Sequence, residues 1–402
     1  MKTDKSFISL RARILLAVGS CLITLMIAEL SLRLWMPTLG SDLFSPTSAS
    51  KNPAESPFLY NDRIGYELKP FAIVESRDRD GSPAMERLNR DGFRGPEYVI
   101  PKPANTFRIL AVGDSVVQGL NVAFEQTWEQ VLERELNRRV GQSSSISRYE
   151  VINAGIGGYV SWQALVRLQD RGLKYNPDLV VVLVGWNDLI YSALPEWTPG
   201  IDLSKIERAH WKPREAQRRE GLWRRIRLSV YRVSYIARLV RQARNRAWNA
   251  RRVQALIRER QKPSGLAFNE RALAIYVQTL EQIYRVTKSH GARMGLIVWP
   301  TILSPELLDD PDIHRRLVPI YTNFPLSTRE LWEWYLRYIE AQRQFARAHP
   351  DIVLIDVAAA FADKGKEERL RMFPDLAHLT VEGNRALAEV IRDVLIDRGV
   401  IQ

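Results

Sequence analysis

The sequence predicts an α/β protein: a three-layer α/β/α domain on a five-stranded parallel sheet, with an N-terminal transmembrane helix and a basic helical insertion added to it. Three observations carry this. Short β-branched apolar runs alternate with longer amphipathic stretches, one early segment is apolar for about 22 residues, and one later block holds more positive charge than the whole chain nets. The 402 residues suffice for one large domain with insertions or for two domains, and 46% apolar with 26% charged residues is an ordinary globular composition. Repeats and low-complexity segments are absent from the sequence.

The early segment, ILLAVGSCLITLMIAELSLRLW, runs from Ile14 to Trp35 and at 1.5 Å per residue spans a hydrocarbon core of roughly 30 Å. Residues 14–36 are the expected transmembrane helix. Lys2, Lys5, Arg11 and Arg13 precede it, whereas the segment after it to Ser50 is acidic or neutral. The positive-inside bias then places residues 1–13 in the cytoplasm and the bulk of the chain in the periplasm or outside the cell. Glu29 and Arg33 lie four residues apart in the outer third, where they can pair and snorkel. A cleaved signal peptide is the competing reading, but the run outlasts a usual apolar region of about 7 to 15 residues and ends without a small-x-small site. Lipidation at Cys21 in VGSC is another, weakened because the apolar run continues well past it. Cys21 is the single cysteine, so the outer domain has no intrachain disulfide to form.

Residues 37–60 are rich in Pro and Ser and read as a tether, with the globular part over 61–402. Strands are expected at FRILAVG (107–113), YEVINAG (149–155), LVVVLVG (179–185), RMGLIVWP (293–300) and DIVLIDV (351–357). All are near-continuous apolar runs, as when both faces of a sheet are covered. Helices are expected at Thr127–Arg139, Trp162–Leu173, Asn269–Ser289, Thr328–Ala348 and Val381–Arg398. Sheets of this kind bind ligands at the carboxyl ends of their strands.

The block 203–262 breaks the alternation. It holds 19 Lys and Arg against four acids, so the rest of the chain is mildly acidic. Leu222, Ile226, Val230, Val233, Ala237 and Val240 recur at helical spacing among arginines, which predicts a basic amphipathic helix. It either packs one face on the domain and solvates the other, or contacts anionic headgroups or an acidic polymer. Nucleic acid is not an expected partner for a domain outside the cell.

The chemistry-bearing residues follow the strands. Gly113-Asp114-Ser115 ends the first, where a serine can project its hydroxyl into the crevice. Val117 stands where a G-x-S-x-G elbow needs its second glycine, which disfavours an α/β-hydrolase. Taken alone, this serine reads better as a turn residue. NAGIGGY (153–159) follows the second strand, and its glycines permit close backbone approach or simply a tight turn. GWND (185–188) follows the third; its Asn can donate to a developing negative charge or cap a helix. After the fifth, FPDLAHLTVEGN (373–384) places Asp375 and His378 three residues apart, able to supply a base and the carboxylate that fixes its tautomer. The other four histidines lack this context: His210 lies in the basic block, and His290, His314 and His349 on helix ends or surface-like loops. No clustered ligand set suggests a metal, and no cofactor is expected.

Together, the four blocks resemble the SGNH or GDSL hydrolase superfamily over about residues 107–395. The resemblance implies a flavodoxin-like sheet, Ser115 as nucleophile, and Asp375 with His378 completing the triad. It implies an oxyanion hole from the Ser115 N–H, Gly158 (with Gly157 as the alternative) and Asn187. The upstream NRDGFRG (89–95) is similar to lead-in segments of membrane-tethered members, with a purely structural role open to it.

The expected function is a serine esterase that removes a small acyl group, such as O-acetyl on an extracytoplasmic glycan, from an acyl ester substrate. An O-acyltransferase for envelope polysaccharide would use the same triad, and a catalytically silent membrane- or glycan-binding module is the reading from another class.

Overall fold

The computed structural model describes residues 10–35, 57–61, 63–77, 81–141, 145–194, 234, 236, 239, 251, 253–321 and 324–401. The chain divides into two units, one of residues 1–51 and 212–254 and the other of 52–211 and 255–402.

In the first unit, helix α1 (Leu10–Trp35) has no polar face, and its stretch Leu15–Trp35 is long and apolar enough, by length and composition, to cross a membrane. Arg33 donates through Nε and Nη2 to Glu29 Oε1 at 3.2 and 3.1 Å, the pairing that the four-residue spacing predicts. Glu29 Oε2 accepts from Ser234 Oγ at 3.1 Å and from the Ile236 N–H at 3.0 Å. The expected amphipathic helix of the basic block lies almost wholly outside the described residues, as do residues 1–9 and most of the tether.

The second unit opens on two antiparallel hairpins: β1 (Phe58–Asn61) pairs with β2 (Gly65–Leu68), and β3 (Ile73–Arg77) with β4 (Pro83–Arg87). The first of them takes up Phe58–Tyr60, the last residues of the predicted tether. Apolar alternation does not flag these strands because they are short, and β2 is buried along its whole length, including Glu67. Glu67 is paired there with Arg171.

The sheet that follows consists of β5 (Thr106–Gly113), β6 (Arg148–Asn153), β7 (Leu179–Leu183), β8 (Arg293–Val298) and β9 (Val353–Asp356). All pair in parallel, in the order β6-β5-β7-β8-β9. Each lies within about two residues of its expected span. Helices α2 (Ser115–Gln118) and α3 (Trp128–Arg139) connect β5 to β6, and α4 (Ser161–Arg167) connects β6 to β7. Then come α5 (Trp186–Ser192) and α6 (Glu270–Ser289) before β8, α7 (Pro311–Tyr321) and α8 (Thr328–Ala348) before β9, and α9 (Val357–Ala360), α10 (Lys366–Met372) and α11 (Val381–Asp397) after it. One helical layer holds α3 and α11, the other α4, α6 and α8, which cover the sheet on both sides.

Three differences from the sequence reading have local causes. The helix expected over Trp162–Leu173 ends as an α-helix at Arg167, widens into a π turn through Gly172 and tightens into a 3₁₀ turn through Tyr175. The wide turn seats Gly172 on β5, where a Cβ would come within 2.7 Å of the Leu110 side chain. Helix α7 was not among the expected helices; it starts on Pro311, with Asp310 Oδ1 accepting the N–H groups of Asp312 and Ile313. His314, expected on a helix end or surface-like loop, lies in the first turn of α7 and is buried.

Gly185, at the end of β7, has φ of 135°, and a Cβ there would lie 2.0 Å from the Trp299 ring. Gly185→Ala is therefore expected to destabilise the domain by about 2–4 kcal/mol, the sum of a left-handed backbone penalty and a forced ring displacement. Urea unfolding of the two proteins measures it.

Candidate active site

Because β5 lies between β6 and β7, its carboxyl end opens where the strand order reverses, the place at which such sheets bind ligands. Asp114 and Ser115 stand there. Asp114 is buried and caps α2, its Oδ1 accepting the Val116 N–H at 2.9 Å. Burial pushes its carboxyl up to about 6, against the opposing pull of that N–H and of the nearby His378. Ser115 is thus lifted to the first position of a short helix with its hydroxyl partly exposed.

Asp375 and His378 reach Ser115 from beyond β9, after α9 and α10. Their turn is held by Leu376, whose carbonyl accepts from the Thr301 hydroxyl and the Ile302 N–H. The Asp375 Oδ1 accepts the N–H groups of Ala377 and His378 at 3.1 and 2.9 Å, which bends the chain so that the two side chains meet. His378 Nδ1 lies 2.7 Å from Asp375 Oδ2, and its Nε2 lies 2.7 Å from Ser115 Oγ. With Nδ1–H donating to the carboxylate, Nε2 is left as an acceptor for the serine hydroxyl.

Electrostatics favours this arrangement. Burial works against an imidazolium, yet the hydrogen bond and charge of Asp375, with Asp114 behind, raise the His378 pKa above its ordinary value. Burial would likewise raise Asp375, but the bond and charge of His378 and the two backbone N–H groups hold it below the usual carboxylate range.

The segments after β6 and β7 leave the same end of the sheet, on either side of β5. The Gly157 N–H donates to Gln118 Oε1 at 2.6 Å and is thereby occupied. The next N–H, that of Gly158, has no acceptor among the described hydrogen bonds, and Gly158 adopts a φ of 83° that glycine tolerates best. Between the two glycines left open by the sequence, the geometry favours Gly158 as the free donor. Asn187 Nδ2 donates one hydrogen to the Tyr159 carbonyl at 2.9 Å, leaving the amide a second to offer. Ser115 N–H also has no acceptor among the described bonds.

Several residues that the sequence reading left without a role support these loops. Asp188 accepts from the hydroxyl and N–H of Ser161, fastening the start of α5 to the start of α4; burial raises its carboxyl to about 7 against these bonds. Arg94, the last side chain before the final glycine of NRDGFRG, is buried and donates to the carbonyls of Gln118, Gly119 and Val122 while pairing with Glu86. Such a position has a sequence signal only in the motif itself. Among the described residues no group of three or more His, Cys, Asp or Glu could hold a metal ion.

Solved structures similar to this chain include an acetyl xylan esterase, at 16% identity and a TM-score of 0.42, with 72% of this chain and 100% of that one covered. A lipase/acylhydrolase from Enterococcus faecalis is similar at 16% identity and a TM-score of 0.41, covering 74% and 97%. No curated protein matches the chain by sequence. Residues 111–386 match the family model of the GDSL-like lipases and acylhydrolases. That match spans well over half of the chain and all four blocks, so the chain belongs to the GDSL-like lipase/acylhydrolase family and is an ester hydrolase.

Proposed function

We propose that the protein is a membrane-anchored serine esterase that removes a small acyl group, of the O-acetyl class, from a glycan outside the cytoplasmic membrane. The observation that carries it is the continuous line from Asp375 through His378 to Ser115, with both contacts at 2.7 Å. His378 takes the Ser115 proton as Oγ attacks the ester carbonyl. The oxyanion forms beside the N–H groups of Ser115 and Gly158 and the Asn187 amide. As it collapses and the bond to the sugar oxygen breaks, His378 gives its proton to that oxygen, releasing the sugar hydroxyl and leaving acyl-Ser115. Water, deprotonated by the same imidazole, then releases the carboxylic acid and restores the hydroxyl.

The glycan and the extracytoplasmic side are inferred from the apolar helix and the basic residues before it, since carbohydrate is the natural acyl carrier there. The test is to incubate the purified protein with an activated acetyl ester, with and without an oligosaccharide acceptor. Release of acetate faster than acetyl transfer supports the esterase, and transfer outrunning hydrolysis overturns it in favour of an O-acyltransferase. Asn187→Ala is expected to lower kcat about 10²- to 10³-fold with KM little changed, because a ground-state carbonyl uses this donor less than an oxyanion does.

A further inference from the structure

We infer that Tyr66, on the hairpin that precedes the sheet, is a positioning residue for the oxyanion hole. The inference rests on the esterase reading above and extends it to a segment outside the family match, which begins at residue 111.

Tyr66 is 5% exposed, and its hydroxyl donates to the Gly157 carbonyl at 2.6 Å. That carbonyl belongs to the same peptide unit as the Gly158 N–H. In a planar trans peptide the C=O and N–H point in opposite directions, so fixing one fixes the other. Holding the carbonyl therefore aims the N–H, and a hydrogen bond accepted by the carbonyl also polarises the N–H toward stronger donation. Glycine on both sides of this unit would otherwise let the plane rotate easily.

The second donor is reached through Tyr159. Its hydroxyl donates to the Tyr66 carbonyl at 2.6 Å, its ring meets the Tyr66 ring edge-on at 5.3 Å, and its carbonyl receives Asn187 Nδ2. One buried cluster, with Ile64, Leu68, Leu88 and Ile156 around the two tyrosines, thus ties β2 to both the Gly158 N–H and the Asn187 amide.

Tyr66→Phe removes one hydroxyl and keeps the ring. On the full-length protein it is expected to lower kcat about tenfold, the scale of one net hydrogen bond expressed in the transition state, with KM unchanged within about twofold. A boronic acid that forms a tetrahedral anion on Ser115 should lose affinity by the same factor as kcat/KM. Tyr159→Phe provides a second variant expected to act in the same direction. Wild-type kcat and boronate affinity in Tyr66→Phe would overturn the inference. So would a loss that follows the unfolded fraction and disappears on cooling, because that marks a structural role only. Failure of the esterase reading looks different: the wild-type protein itself would show no turnover dependent on Ser115.

Discussion

Ser115→Ala is expected to lower kcat by about 10⁵- to 10⁶-fold, the loss typical of removing the nucleophile from a hydroxyl, imidazole and carboxylate that act as a unit. The reason is geometric as well as chemical. Alanine keeps the backbone N–H at position 115, so the proposed oxyanion donors all remain, and residual activity reports what they achieve with water as the attacking group. Folding should be almost unaffected: the hydroxyl's described partner is His378 Nε2, in a partly exposed ring that water can serve instead. A melting temperature within a few degrees of wild type is expected, since no buried group is left without a partner. Steady-state hydrolysis of an activated acetyl ester measures the activity, and a fluorophosphonate probe should label the wild-type serine and leave the variant unlabelled. Retention of activity by a folded variant would remove Ser115 from the mechanism.

Asp375→Asn is expected to cost about 10⁴-fold in kcat, for a different reason. The asparagine can present its NH₂ to the ring, which favours the tautomer with hydrogen on Nε2 and so turns the base away from Ser115. It also removes the charge that holds His378 above its ordinary pKa against burial. The sign follows directly. Attack requires neutral imidazole, so wild-type kcat/KM falls as pH drops through an apparent pKa above 6.5. In the variant burial gains the upper hand, and the same limb moves to lower pH while the plateau falls. A pH profile of kcat/KM reads both effects; an unmoved limb would mean that another group provides the base.

Most of the sheet is legible because it obeys local rules. Each parallel strand is buried on both faces and reads as an unbroken apolar run, so the segments ending near Gly113, Asn153, Leu183, Val298 and Asp356 stood out with errors of about two residues. Asp375 and His378 are offered by their D-x-x-H spacing after the last strand, whereas the roles expected of Ser115, Gly158 and Asn187 come from the resemblance to the SGNH or GDSL hydrolases and not from local pattern. What was illegible depends on tertiary pairing. Tyr66 and Arg94 act on carbonyl oxygens 91 and 24 or more residues away, and a backbone acceptor leaves no trace in residue type. Gln118 is similar, since nothing in its own neighbourhood says that its amide oxygen will take the Gly157 N–H. His314 lies in a helix that the pattern does not predict, and only the tertiary fold buries it.

The β1–β2 hairpin carries a consequence for where this enzyme begins. A fragment starting at Thr106 would hold every strand of the parallel sheet together with Ser115, Asp375 and His378, yet it would lack the hydroxyl on the Gly157 carbonyl and the partner of the Tyr159 hydroxyl. The piece between tether and sheet is therefore not interchangeable with another spacer of equal length. Hairpin and sheet work as one piece, so a change at residue 66 is expected to trim turnover where a change at Ser115 abolishes it.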